Sequence, residues 1–458
     1  MNKIFRNINK VRKLLNVNFD DIIYCQNNIL NELKSINNKL DKNNYEVKNQ
    51  ICEIKNNLQS IYKEFDYSNL EMNKLIKNDF NKKQILICGF YGAINLGDDL
   101  MLETLLTYLD KIDDLEITIM LCDKKNIDIT NYGKYNFIHY PTRTDDFNII
   151  AKYFDAVIFG GGALLDDYEY NDDSPIFNLG YILINLALEF INFNKTTILY
   201  GLSSNKQINN KQYIKKLNLI AEKSSVFTLR DTNSFETLKK SGINVSKIKI
   251  VDDIVLSNKL LNNMVNKKFD KIKLGIVYIC SNEYYSHLYE YTKNIINYLE
   301  NNNYDYELTF IPFYNHLNND EELYKRLVKD LNNNKLFISS MPKKYEDIKN
   351  IFENQEYIVS MRYHATLMAN FMNKNVLSIN FVNHRHYFNK IDYIYSNYNF
   401  ERNNFDFTSE LKKDNLDLLF SKHKYKKYEK ILLKAQNDIV LYVVKEIEKI
   451  RKKDCNEN

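Results

Sequence analysis

Tryptophan is absent from the 458 residues of this chain, proline occurs 4 times and glycine 11 times. Asparagine, lysine, isoleucine and tyrosine are abundant instead. We attribute that bias to an AT-rich genome and do not treat it as a functional signal. The 63 basic and 59 acidic residues leave a net charge of only +4. This near balance argues against a dedicated nucleic-acid-binding protein, so we expect no nucleic acid among its partners.

Cysteine is also scarce, and the six cysteines are scattered without the paired spacing of a metal site. Such a distribution is typical of reduced thiols in a cytosolic protein. No apolar run approaches the ~18 residues that a membrane span requires, and no signal peptide opens the chain. We therefore expect a cytoplasmic protein without a bound metal.

Residues 1–80 differ from the rest, because they are highly polar and contain neither glycine nor proline. A heptad pattern of apolar residues runs from Leu30 to Phe65 and predicts a coiled coil, and with it a homo-oligomer formed through residues 30–65. A helical hairpin packed on its own domain is the alternative. Residues 2–18 form a basic amphipathic pattern, which either docks on the body or contacts the inner face of the plasma membrane peripherally.

Strands and helices alternate from Ile85 onward, which predicts βαβ units and mostly parallel sheets. The first series of predicted strands covers 85–88, 117–121, 156–159, 197–200, 225–229 and 248–251, and the second covers 274–279, 307–311, 336–339, 357–360 and 376–381. We therefore predict two Rossmann-like α/β domains facing a cleft, a GT-B-like arrangement. The predicted division is 1–80 (helical extension), 81–265, 266–423 and 424–458 (a basic helix).

Two glycine-rich segments follow predicted strands. The first runs from Tyr91 to Asp98 and includes Gly92, Asn95 and Gly97. The second is the run Gly160, Gly161 and Gly162. A loop between a strand and a helix N-terminus points backbone N–H groups at an anion, and ligands of parallel sheets lie beyond the carboxyl ends of the strands. A tight turn without a ligand is the alternative for either segment.

Two further strand ends carry charged side chains. Arg230 and Asp231 follow one strand, and Arg362 and His364 follow another. Arginine binds carboxylate or phosphate with two parallel hydrogen bonds, and histidine is the usual proton carrier near neutral pH. A structural salt bridge and a packed surface pair are the respective alternatives. Together with the glycine segments, these residues suit a small, doubly anionic substrate.

These four segments, in this order, resemble the polysaccharide pyruvyl transferase family. They are Tyr91 to Asp98, Asp155 to Gly162, Arg230-Asp231 with Ser234, and Arg362 to Ala365, and the resemblance covers about residues 84–400. It implies a GT-B-like fold and the transfer of pyruvate from phosphoenolpyruvate to sugar hydroxyls as a ketal. It implies as acceptor a cell-surface polysaccharide or its lipid-linked precursor. Phosphoenolpyruvate is then a co-substrate, and no cofactor is expected.

The resemblance also suggests roles for individual residues. Arg362 and Arg230 are predicted to clamp the phosphate and the carboxylate, and His364 is the candidate general acid. Asn95 and Asp98 are predicted to orient the acceptor sugar, with Asp98 either a base or a helix cap. The family often has a lysine after the strand that follows, and Arg385 is the candidate for its role here. The predicted substrate-binding residues are thus Arg230, Asn95, Gly92, Gly97, Gly160, Gly161, Gly162 and Arg385.

Two other functions remain compatible with the sequence. One is a GT-B glycosyltransferase whose glycine segments hold the diphosphate of a nucleotide sugar. The other is a non-catalytic scaffold that only binds glycan. Asp252 and Asp253, at the end of a further predicted strand, are left without an assigned role.

Overall fold

The computed structural model describes residues 82–122, 132–141, 144–167, 170, 178–262, 267–315, 319–380, 390–407, 409–421 and 426–455. The chain divides into two units, Met1–Lys82 and Lys83–Asn458. The predicted coiled coil, the basic amphipathic segment and Arg385 lie outside the described residues. The second unit consists of a first half (83–262), a second half (267–421) and a C-terminal helical segment.

The first half contains a parallel sheet of seven described strands in the order β3-β2-β1-β4-β5-β6-β7. The strands are β1 Lys83–Cys88, β2 Leu115–Leu121, β3 Asn136–His139, β4 Ala156–Gly162, β5 Thr196–Leu202, β6 Val226–Leu229 and β7 Lys249–Ile250. The helices are α1 Leu96–Leu109, α2 Thr144–Tyr153, α3 Leu179–Asn192, α4 Lys211–Lys223 and α5 Thr232–Lys240. The central strands are continuous apolar runs because a parallel sheet buries both of its faces.

The second half contains a parallel sheet of six described strands in the order β10-β9-β8-β11-β12-β13. The strands are β8 Ile272–Val277, β9 Tyr306–Phe310, β10 Leu336–Ile338, β11 Tyr357–Ser360, β12 Asn375–Asn380 and β13 Asn404–Asp406. The helices are α6 Tyr285–Asn301, α7 Asp320–Leu331, α8 Tyr345–Glu353, α9 Tyr363–Phe371, α10 Lys390–Tyr398 and α11 Lys413–Leu419. The prediction of two α/β sheets with parallel strands is confirmed.

The C-terminal segment returns to the first half. It consists of α12 Glu429–Ile439, a π-helical turn Val440–Val444 and α13 Lys445–Cys455. Its apolar side is fully buried at Ile439, Val443 and Ile447. The Ser257 hydroxyl donates a hydrogen bond of 2.9 Å to the carbonyl of Ala435 in α12. The segment therefore belongs to the core of the first half although it follows the second half in sequence.

The two halves meet at the carboxyl ends of their strands. The N–H of Leu96, which opens α1, donates to the carbonyl of Phe313 at 3.0 Å. The hydroxyl of the buried Tyr345 donates to the carbonyl of Val255 at 3.0 Å. One continuous group of buried apolar side chains includes residues of both halves. The observed contact thus brings the two predicted ligand-binding edges together.

Candidate functional site

The first turn of α1 places a buried carboxylate at the contact between the halves. Asn95 occupies the N-cap position of α1, without a side-chain capping bond, and Asp98 is the third helical residue. The capping alternative for Asp98 therefore does not apply. Asp98 is only 9% exposed, and Gly92, at φ +80°, begins the turn that leads into the helix.

The protonation of Asp98 is poised near neutral pH. Burial raises the pKa of its carboxyl to about 6, although His364, Arg230 and Lys390 act in the opposite direction. The neighbouring Asp99 has its pKa raised to about 8 by burial and by the charge of Asp98. A carboxyl with such a pKa exchanges a proton readily at physiological pH, as general acid–base groups do.

Arg230, at the end of β6, reaches across the base of the site. Its Nη1 donates to Asp253 Oδ2 at 2.8 Å, and its guanidinium lies 4.5 Å from the centre of the Tyr363 ring. Burial lowers the pKa of the guanidinium, but the charge of Asp253 outweighs this and raises it. The alternative of a structural salt bridge to Asp231 is not observed, because Asp231 instead caps α5 by accepting from the Ser234 N–H.

Part of the Arg230 guanidinium has no partner. Nε is buried without a hydrogen bond, and Nη2 has no hydrogen bond to any residue in the described part of the chain. A buried donor without a partner is costly. These groups are therefore suited to an anionic ligand that accepts hydrogen bonds.

His364 comes from the second half and meets these groups. Its Nε2 lies 3.3 Å from Arg230 Nη1 and 3.5 Å from Asp253 Oδ2. A Cβ atom added to Gly97 would lie only 2.1 Å from His364 Nδ1, so the imidazole packs directly on the backbone of α1. The structure thus brings Gly97, Asp98, Arg230 and His364 together from two halves of the molecule.

Arg362 is placed differently. Its Nη2 lies 2.9 Å from both carboxylate oxygens of Asp320, and its Nε donates to the carbonyl of Tyr278 at 3.1 Å. Asp320 Oδ2 in turn accepts from the N–H groups of Phe313 and Tyr314, each at 2.9 Å. Arg362 therefore holds the loop that contacts α1. Its role as a substrate clamp stays a prediction, which concerns Nη1, an atom without a hydrogen bond to the described residues.

The sequence predicted that the glycine run 160–162 forms a loop. It is instead the end of strand β4, with Gly160 and Gly162 paired to β5. A Cβ at Gly161 would lie 2.5 Å from the sulfur of Met101. Glycine is favoured there because the backbone φ of +77° is one that other residues rarely adopt. Gly162 is the member of the run beside the site, since a Cβ there would lie 3.3 Å from Asp98 Oδ1.

With this geometry in view, the comparison with known families is decisive. A family model described as polysaccharide pyruvyl transferase matches residues 95–384. The chain belongs to the polysaccharide pyruvyl transferase family. The matched residues include Asp98, Arg230, Asp253 and His364, so this pyruvyl transferase family member has its clustered site within the matched region. None of the curated proteins matches the chain.

Solved structures similar to this family member belong to other enzymes of sugar metabolism. UDP-GlcNAc 2-epimerase from Methanocaldococcus jannaschii has a TM-score of 0.49 and 15% identity, covering 78% of this chain and 99% of that one. A glycosyltransferase from Rickettsia africae has a TM-score of 0.46 and 13% identity, covering 82% of this chain and 98% of that one. Similarity at this level says nothing about the substrate.

Lys390, the first residue of α10, is a site residue that the sequence analysis missed. Burial lowers the pKa of its ammonium group to about 8. The charge of Arg230 also lowers this pKa, whereas the charges of Asp166, Asp231 and Asp98 raise it. The resemblance implied a lysine after the strand that follows, and this role was assigned to Arg385, the first arginine or lysine after that strand. Lys390 is the first lysine after the strand and matches the implied residue type.

The described residues contain neither a candidate membrane span nor a candidate metal site. Within those ranges, no helix is both long and apolar enough to cross a membrane. In the same part of the chain, no three His, Cys, Asp or Glu side chains are grouped so that they hold a metal ion.

Proposed function

We propose that this pyruvyl transferase family member moves pyruvate from phosphoenolpyruvate to two hydroxyls of one sugar, forming a ketal and releasing phosphate. The acceptor is a cell-surface polysaccharide or its lipid-linked precursor. The observation that carries the proposal is the meeting of Arg230 and His364 beside Asp98, which combines a fixed cation, a proton carrier and a buried carboxylate. Membership of the family supports pyruvyl transfer as the reaction class.

The donor carries a phosphate and a carboxylate, and the site offers groups for both. We assign one anionic group to the unpartnered Nη2 edge of Arg230. We assign the other to Lys390, which is largely charged at neutral pH because its pKa is about 8. The N-terminus of α1 adds a favourable field for negative charge. Three elements from two halves then converge on one small dianion.

The chemistry uses two proton carriers. In the first step, a sugar hydroxyl oxygen bonds to the phosphate-bearing carbon, His364 gives a proton to the methylene carbon and Asp98 takes the hydroxyl proton. In the second step, the carbon–oxygen bond to phosphate breaks and the phosphate leaves with the proton held by Asp98. The second hydroxyl bonds to the same carbon and returns a proton to His364. A positioned acid or base typically contributes 10²–10⁴-fold to such steps.

Calorimetric titration with phosphoenolpyruvate tests the donor. We expect micromolar-to-millimolar binding, weakened about tenfold or more in Lys390→Ala, which corresponds to ~1.4 kcal/mol. Lys413→Ala is the matched control, because Lys413 also opens a helix of the second half but is exposed. His364→Gln should bind the donor and fail to release phosphate when acceptor is added.

Two results would contradict the proposal. Binding of a nucleotide sugar but not of phosphoenolpyruvate, even with candidate glycans present, would favour the glycosyltransferase alternative. Glycan binding without phosphate release by the wild-type protein would favour the scaffold.

A further inference from the structure

Asp253 is a buried charged group at the contact between the halves. Its side chain is fully buried, and Oδ1 accepts from the N–H of Val255 at 3.1 Å. Burial raises the pKa of this carboxyl, but His364 and Arg230 outweigh it and hold the pKa well below its usual range. Asp253 is therefore an ionised carboxylate in the interior.

The backbone around Asp253 is held from several directions. Asp253 caps the short 3₁₀ helix Ile254–Ser257, all of whose residues are buried. The Tyr108 hydroxyl donates to the carbonyl of Ser257 at 2.8 Å, and the Tyr345 hydroxyl donates to that of Val255 at 3.0 Å. A carboxylate fixed in this way sets the position of whatever donates to it.

Two nitrogen atoms lie close to the same oxygen of Asp253. Arg230 Nη1 donates to Oδ2 at 2.8 Å, and His364 Nε2 lies 3.5 Å from Oδ2. The 3.3 Å contact between Arg230 Nη1 and His364 Nε2 places these two nitrogen atoms side by side. When His364 carries the proton that a general acid must give, both of its ring nitrogens are donors. Asp253 Oδ2, at 3.5 Å, is then an acceptor within reach of Nε2. The bond made by one imidazole nitrogen decides the tautomer and so the role of the other.

The other nitrogen lies at α1. His364 Nδ1 packs against the backbone of Gly97, in the turn of α1 that also carries Asp98. The side chain is 13% exposed, so it is not fully enclosed.

We propose that Asp253 is the positioning residue of this site, and that by holding Nε2–H of His364 it makes Nδ1 the nitrogen that exchanges a proton with the substrate. The inference deepens the proposed function and rests on His364 as its acid. It assigns a role to a residue whose sequence context, a strand end with two adjacent aspartates, gave none.

Nitrogen-15 NMR of the full-length protein, labelled on the histidine rings, tests the tautomer without substrate. The His364 signals are identified by their loss in His364→Gln. We expect the neutral wild-type imidazole to carry its proton on Nε2. A proton on Nδ1 would overturn the proposal. This measurement needs no Asp253 variant, so a variant that fails to fold does not block it, and it stands whether or not phosphoenolpyruvate is the donor.

Asp253→Asn then tests the consequence, with Asp252→Asn as its matched control. Asp252 is the adjacent buried carboxylate, but it pairs with Lys434 of α12 at 2.8 Å. We expect Asp253→Asn to lose the Nε2 preference and to lower turnover by about 10²–10⁴-fold. Asp252→Asn should keep the Nε2 preference and the turnover of the wild-type protein. Turnover of Asp253→Asn within threefold of Asp252→Asn would refute the positioning role. Absence of turnover in every protein, with Nε2 protonated in the wild type, would instead refute the proposed donor.

Discussion

Gly97→Ala is the most direct perturbation of the contact between α1 and His364. An added Cβ would lie 2.1 Å from Nδ1, whereas ordinary contact begins near 3.4 Å. The imidazole must therefore retreat by about 1.3 Å or more to restore van der Waals contact. That movement also disturbs Nε2, which lies 3.3 Å from Arg230 and 3.5 Å from Asp253. A misplacement of ~1 Å at a reacting group costs about 10²-fold in rate.

We expect Gly97→Ala to lower phosphate release from phosphoenolpyruvate by about 10²-fold while the protein stays folded. The effect of Gly97→Ala on stability is measured in a second protein, one that already carries His364→Ala. The three atoms nearest to the added Cβ all belong to His364. In a His364→Ala protein, Gly97→Ala should therefore stabilise α1, by up to ~1 kcal/mol in urea denaturation, because alanine favours helix over glycine. Wild-type turnover by Gly97→Ala, with the imidazole unmoved in its crystal structure, would refute the reasoning.

Two further predictions concern charge at the site. The pKa of Lys390 is about 8, so its ammonium group loses its charge as the pH increases through 8. The dissociation constant for phosphoenolpyruvate should therefore rise over that range. In a pH series of calorimetric titrations, Lys390→Arg should abolish the rise. Arg230→Met leaves Asp253 buried without its arginine, which should lower the free energy of unfolding by about 3–5 kcal/mol. Adding Asp253→Asn should recover part of that loss in urea denaturation. If the two substitutions instead lower the free energy of unfolding additively, the pairing of Arg230 with Asp253 is contradicted.

The sequence predicted strands wherever a sheet buries both faces. Each inner strand contains buried apolar residues, and the sequence predicted all of the inner strands. The strands that it missed are β3 and β13, at the edges of their sheets. Edge strands bury less surface, and these two carry polar residues such as Asn136 and Asp406, so their sequences lack the apolar run that a buried strand requires.

The sequence predicted which strand ends carry functional groups, but not which groups pair. Arg230 stands next to Asp231 in sequence yet pairs with Asp253, and Arg362 pairs with Asp320 from another helix. Such pairings depend on how the chain folds in three dimensions, which local spacing does not report. The glycine run was interpreted as a loop because a strand end with positive φ at Gly161 and Gly162 leaves the same sequence signal as a ligand loop.

The return of the C-terminal segment to the first half means that the backbone crosses between the halves twice, once after the first half and once before α12. The first half therefore completes its buried core only with residues that follow the second half in sequence. During synthesis, the first half cannot bury this face until the second half has been made as well.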